Sequence, residues 1–178
     1  MSESRALRRA SSQCPHWTDR VREVYKQSLN DHLEDVLENE RDEFVAAFAT
    51  ASQDCESPIE ALFLAAFIPY AIRDTYYHIQ PQEQIGKYRA DFVITFTPDE
   101  RFIRKIVIEC DGHDYHDRTK EQAERDKSRD RAISAAGMPV FRFTGRELQR
   151  DPHACVEEII DYTQGQLLDE AYEQLRGR

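Results

Sequence analysis

The chain has 178 residues, enough for one compact core with extensions. Its 24 Lys and Arg against 34 Asp and Glu leave a net charge of −10, which argues against indiscriminate, high-affinity coating of a phosphate backbone. The imbalance is uneven: residues 31–56 carry nine acids against one base, whereas residues 101–150 carry twelve bases against nine acids, so the second half can still face a polyanion. Cys14, Cys55, Cys110 and Cys155 form no CxxC pair, which sets aside a zinc knuckle or a disulfide framework and fits reduced thiols in a cytoplasmic protein. No apolar run approaches the roughly 18 residues that span a bilayer. The start, MSESRALRRA, lacks the apolar stretch of a secretory signal, so no membrane partner is expected.

Residues 1–16 are polar and Arg-rich without periodicity and read as a flexible tail. Thr18 or Asp19 can cap a helix with apolar positions Val21, Tyr25, Leu29, Leu33 and Val36, and a second helical stretch holds Phe44, Ala47 and Phe48. Together, residues 17–55 form an acidic helical extension ahead of a domain at 56–178. In SPIEALFLAAFIP, Ser57 suits the N-cap, Pro58 the first helical position and Glu60 the third, a capping-box pattern that opens a buried helix ending or kinking near Pro69. The stretch that follows reads as a three-stranded antiparallel meander with turns at Gly86 and at 98–100. Thr119 and Gln122 repeat the capping pattern before a helix that Gly137 closes. A short strand, PVFRF, comes next, and Asp151 and Pro152 open a terminal helix carrying Val156, Ile159, Ile160, Leu167 and Leu168.

The chemistry gathers at a strand end. IVIECDGHDYH, residues 106–116, starts apolar and finishes in Glu109 and Asp111, which share a face because residues two apart on a strand point the same way. A hairpin turning at 98–101 brings Asp91, near the start of ADFVITF, beside Glu109 at one rim of the sheet. Clustered carboxylates repel, and a bound divalent cation keeps them ionised; an all-oxygen set with room for water and phosphate describes Mg²⁺ or Mn²⁺.

Four segments, SPIE at 57–60, GKYRADFVI at 86–94, IECDGHDYH at 108–116 and DKSRDRAISAAGMPVFRFTGREL at 126–148, together resemble the PD-(D/E)XK, or restriction-endonuclease-like, superfamily, and within it small proteins related to very-short-patch repair endonucleases. The resemblance implies an α/β (α+β) fold with an αβββαβ core and a mixed central sheet, here with the helical extension in front and a helix behind. It implies a Mg²⁺-dependent endonuclease acting on DNA, in which Asp91 and Glu109 bind metal. It also matches Glu60 to an acid on the first core helix that reaches the metal site directly or through water, although a capping box alone accounts for Glu60.

Where most of the superfamily places a lysine, this chain has Asp111, which becomes an extra candidate metal ligand. Water activation then falls first to His116, whose imidazole titrates near neutrality, and second to Lys127 on the following helix, where a stripe through 123, 126 or 127, 130, 133 and 137 lets Lys127 or Asp126 lean on the sheet. His113, Arg118, Lys120 and Arg125 are candidate substrate contacts. The face of Arg125, Arg129 and Arg131 is by default a solvated surface paired with neighbouring acids, with phosphate contact as its functional reading. Two other function classes fit the residues: a nuclease-fold binding module without chemistry, and a metal-dependent phosphodiesterase acting on RNA. The acidic helices offer an interface for a second copy of the chain or a protein partner.

Overall fold

The computed structural model describes residues 11–33, 38–74, 76–99, 101–112 and 120–176. A four-stranded mixed sheet lies between helices, the α/β arrangement expected from the sequence. In chain order the elements are helices α1 (Asp19–Leu33), α2 (Glu38–Ala51) and α3 (Pro58–Arg73), strands β1 (Tyr77–Pro81), β2 (Gln84–Ile85), β3 (Tyr88–Arg89), β4 (Phe92–Asp99) and β5 (Phe102–Asp111), helix α4 (Lys120–Ala135), strand β6 (Val140–Thr144), and helices α5 (Gly145–Arg150) and α6 (Pro152–Arg176). Strand order is β1-β4-β5-β6; β1, β4 and β5 pair antiparallel, and β6 joins β5 in parallel after the α4 crossover. The expected meander is present, with the β2–β3 hairpin inserted into its first connection and turning at Gly86, whose φ of 61° suits glycine.

Helix α3 is the hub, and its sequence says why. Residues 60–69 are buried without interruption, as befits a helix apolar on every side. It does not end at Pro69 but runs on to Arg73. A proline removes the N–H that would bond the carbonyl four residues back, and here that carbonyl, Ala65 O, accepts instead from the buried Ser28 hydroxyl of α1 at 2.9 Å. A side chain from a neighbouring helix thus repairs the break that the sequence implied.

The extension and the domain share one core. Val21, Val24, Tyr25, Phe44 and Phe48 pack with Phe63, Phe67, Ile94 and Ile108 in a single apolar cluster. Packing also begins earlier than the polar composition of 1–16 implies: Cys14 is buried, and His16 Nε2 bonds the Cys55 carbonyl at 2.7 Å. All four cysteines are buried and free.

Alternation along the strands divides the sheet. Phe92, Ile94, Phe96, Ile106, Ile108 and Cys110 face the cluster around α3, while Val93 and Val107 pack with Ala90 and Ile133 of α4 in a smaller one. Gly137, at φ 72°, closes α4 as expected. Thr144 and Glu147 form a full capping box that opens α5, a helix its TGRE pattern signals. The terminal helix is capped by Asp151, whose Oδ1 accepts from Ala154 N at 3.0 Å; it buries Cys155, Val156, Ile159 and Ile160, but Leu168 is exposed. Among the described residues, no helix is long and apolar enough to cross a membrane.

Candidate active site at the sheet rim

The β4–β5 register pairs Phe92 with Ile108, so Asp91, one residue before β4, stands opposite the stretch that carries Glu109. Asp91 is pinned there: its Oδ2 accepts the Cys110 backbone N–H at 2.6 Å, and its own carbonyl accepts the Gln82 N–H at 2.8 Å. Burial nevertheless pushes the Asp91 carboxyl up to about 6, against the pull of the Cys110 N–H and with a further push from Glu60.

Glu109 lies on the α4 face and is only 2% exposed. Its Oε2 pairs with Arg129 Nη1 of α4 at 2.9 Å, while Oε1 is buried with no hydrogen-bond donor among the described residues. Burial pushes this carboxyl up to about 7; Arg129 opposes the shift and Asp91 adds to it. Both acids are therefore held where ionisation is costly, and one oxygen lacks a partner. Added positive charge would reverse both conditions.

Glu60 is buried too but differently engaged. Ser57 Oγ accepts from Glu60 N at 3.2 Å and donates to Glu60 Oε1 at 2.7 Å, whereas Oε2 accepts from Glu56 N at 2.9 Å and from Gln82 Nε2 at 2.8 Å. The reciprocal capping box read from SPIE is thus half formed, its return bond going to Glu56 and not to the N-cap residue. Gln82 escapes sequence reasoning. It sits at φ 51°, a left-handed conformation uncommon outside glycine and asparagine, and PQEQ gives no sign of it. Through its side chain it holds Glu60, and through its backbone the carbonyl of Asp91.

Asp111 ends β5 beside Thr144 of β6, half-buried, and its charge adds to the push on both Asp91 and Glu109. Lys127 is exposed on α4. Of the expected stripe, Ile133 packs on the sheet and Asp130 bonds Arg142 of β6, but it is Arg129 and not Lys127 that meets Glu109; the Asp126 side chain lies outside the described residues. Arg142 of β6 grips both oxygens of Asp130, and Tyr88 Oη bonds Ser128 Oγ at 2.7 Å, so α4 is tied to the sheet and to the hairpin around Arg129. His113, His116 and Arg118 lie outside the described residues, as do the side chains of Lys120 and Arg125.

Among the described residues, no group of three or more His, Cys, Asp or Glu side chains gathers as a metal-binding cluster. Asp91 and Glu109 still make a hard, oxygen-only donor pair, and the unpartnered Glu109 Oε1 gives a cation an acceptor that the protein leaves unused. Such a pair fits an ion that keeps several waters and takes further ligands from a phosphate, which is the habit of Mg²⁺.

No curated protein and no solved structure matches this chain. The family profile REase_MTES_1575, of restriction-endonuclease-like proteins, matches residues 66–162, more than half of the 178. Asp91, Glu109, Asp111 and Arg129 fall inside that segment, and Glu60 and its cap fall before it. The chain belongs to the REase_MTES_1575 family of restriction-endonuclease-like proteins, a membership that points to a nuclease.

Proposed function

We propose that the chain is a divalent-metal-dependent endonuclease that hydrolyses DNA phosphodiester bonds, a PD-(D/E)XK enzyme related to the very-short-patch repair endonucleases. The observation that carries this reading is the strand end itself: a half-buried carboxylate, Asp91, and a buried one, Glu109, with raised proton affinities and one oxygen without a donor among the described residues. Asp91 and Glu109, with Asp111 beside them, would hold Mg²⁺ or Mn²⁺. When bound, such an ion polarises a phosphate and lowers the pKa of water.

The chain's own residues supply the rest. The Cys110 N–H and the Gln82 contact hold Asp91 in place, and Arg129 orients Glu109. Burial of Glu109 beneath α4 limits the access of bulk water to its oxygens. His116 is the group we assign to accept the proton of the attacking water, with Lys127 second; His113, Arg118, Lys120 and Arg125 are assigned to the substrate backbone.

One observation favours a second reading, a binding module without chemistry: Arg129 already occupies one oxygen of Glu109. A single experiment separates them. The full chain is incubated with supercoiled plasmid, single-stranded DNA and RNA in Mg²⁺, Mn²⁺ or EDTA, alongside Glu109→Ala. Metal-dependent nicking or cutting of DNA that disappears in the variant is the expected result. Cleavage that survives the substitution would refute the site, cleavage of RNA alone would change the substrate, and no cleavage at all would favour the binding module.

A further inference from the structure

Two arginines stand beside the acid cluster, and they are used in opposite ways. Arg142 makes two bonds, from Nη1 and Nη2, to the two oxygens of Asp130, a bidentate geometry that engages both carboxylate oxygens although Arg142 Nε stays buried without a partner among the described residues. Among the described residues Arg129 makes a single bond, Nη1 to Glu109 Oε2 at 2.9 Å, and Glu109 Oε1 and Arg129 Nε are both buried without hydrogen-bond partners. A buried ion pair contributes to stability only when its geometry is good and its remaining donors and acceptors are satisfied. Arg129 and Glu109 fail that condition at the carboxylate, where Glu109 Oε1 has no donor among the described residues, whereas both oxygens of Asp130 are bonded by Arg142.

The two orphans have opposite demands. Among the described residues Glu109 Oε1 has no donor, and Arg129 gives Glu109 only one of its N–H groups. A phosphodiester bound with a divalent cation offers both, the cation to the carboxylate and a non-bridging oxygen to the guanidinium. The Arg129 side chain is 23% exposed, so it is not sealed off from solvent while Glu109 holds Nη1. The Asp130–Arg142 and Ser128–Tyr88 bonds fix the helix on either side of it, so the guanidinium is presented by a rigid element.

We propose that Arg129 is a phosphate-contacting cation of this site, released from part of its duty to Glu109 when a cation and a phosphodiester arrive together; this rests on the nuclease reading above for the identity of the ligand. Arg142, held through two bonds by Asp130, is its structural counterpart and makes no such contact.

The test compares the parent with Arg129→Ala, Arg129→Lys and Arg142→Ala by two readouts. The first is affinity for a short DNA duplex in Ca²⁺ as a function of salt. Loss of one phosphate contact should lower the slope of log affinity against log salt by about 1 in Arg129→Ala, with Arg129→Lys recovering the slope and Arg142→Ala leaving it unchanged. The second is the Mg²⁺-dependent cleavage rate per folded molecule, expected to drop about 10²-fold or more in Arg129→Ala, as for other lost transition-state donors.

An unchanged salt slope, or a duplex that the parent itself does not bind, overturns the assignment whatever the cleavage result. A lowered slope with no cleavage in the parent upholds Arg129 and defeats the nuclease reading. Cleavage with an unchanged slope does the reverse.

Discussion

Glu60 at the head of α3 and Glu109 at the end of β5 are both buried glutamates, 5% and 2% exposed, yet the protein treats them as opposites. Glu60 receives three hydrogen bonds, from Ser57, Glu56 and Gln82, and every donor comes from a segment whose position it helps to define. Glu109 receives one bond and keeps an oxygen with no donor in reach among the described residues. Saturation marks an acid that holds structure together. On the proposed reading, deficit marks one kept for a ligand, because burying an unsatisfied carboxylate costs stability that a bound cation would return.

The contrast is broken most sharply by the two amide isosteres. Glu109→Gln should lower metal-dependent cleavage by at least about 10²–10³-fold, on the scale of losing one essential electrostatic group. Its melting temperature should hold or rise by a few degrees, since the buried charge is gone. Glu60→Gln should behave in the opposite sense. A side-chain amide offers one oxygen to three donors and turns its NH₂ toward the others, so about 1–3 kcal/mol of stability should be lost while cleavage per folded molecule stays within a few-fold. Denaturant melts and initial rates on the same preparations check both.

Metal addition comes next in size. A ligand at 100 times its dissociation constant stabilises the folded state by about 2.7 kcal/mol, and a chain of this length gains about 2–4 °C per kcal/mol. Saturating Mn²⁺ should therefore raise the melting temperature by several degrees in the parent and in Glu60→Gln. Asp91→Asn and Glu109→Gln should show no rise.

The pH dependence is smaller and has a definite sign. Asp91, pushed up to about 6 from 3.8, and Glu109, pushed up to about 7 from 4.5, bind protons more tightly folded than unfolded. Their contribution to stability is full below the unfolded values and is lost as pH rises through the folded ones. In EDTA, stability should decline between pH about 4 and about 7, and Glu109→Gln should flatten the upper part of that decline. A melt series that rises steadily over this window would contradict the assignment of the shifts to burial.

The smallest expected effect is at Gln82. Gln82→Gly keeps the left-handed turn and removes only the bond to Glu60, which should cost about 1 kcal/mol. Gln82→Val adds backbone strain that a β-branched residue meets at φ > 0, of order 1–3 kcal/mol more. Equal stability in the two variants would show that the backbone at this position is not strained in solution.

Much of this was legible in the chain because the signals were local. Ser57-Pro58, Gly86, Gly137 and Asp151-Pro152 each fix a helix or turn boundary through their own backbone chemistry, and the two-residue period of β5 placed Glu109 and Asp111 on one face. Asp91 could be brought to Glu109 from hairpin register alone. What was not legible depends on contacts between distant segments. The proline in α3 is tolerated because Ser28, 37 residues before Ala65, bonds the freed Ala65 carbonyl. Arg129 looked like one base among several on a charged helix, and nothing in its spacing separates it from Lys127; only the rotation of α4 against β5, fixed by Ile133, Asp130 and Ser128, decides which one meets the acid. Gln82 carries no turn signature at all.

The most direct measurement of the central claim is the cleavage rate of supercoiled plasmid in Mg²⁺, per folded molecule, for Glu109→Gln and Glu60→Gln against the parent. Loss of cleavage in the first with near-parental rates in the second is the expected result. Equal loss in both, or cleavage in Glu109→Gln at the parental rate, would contradict the division between the satisfied acid and the unsatisfied one.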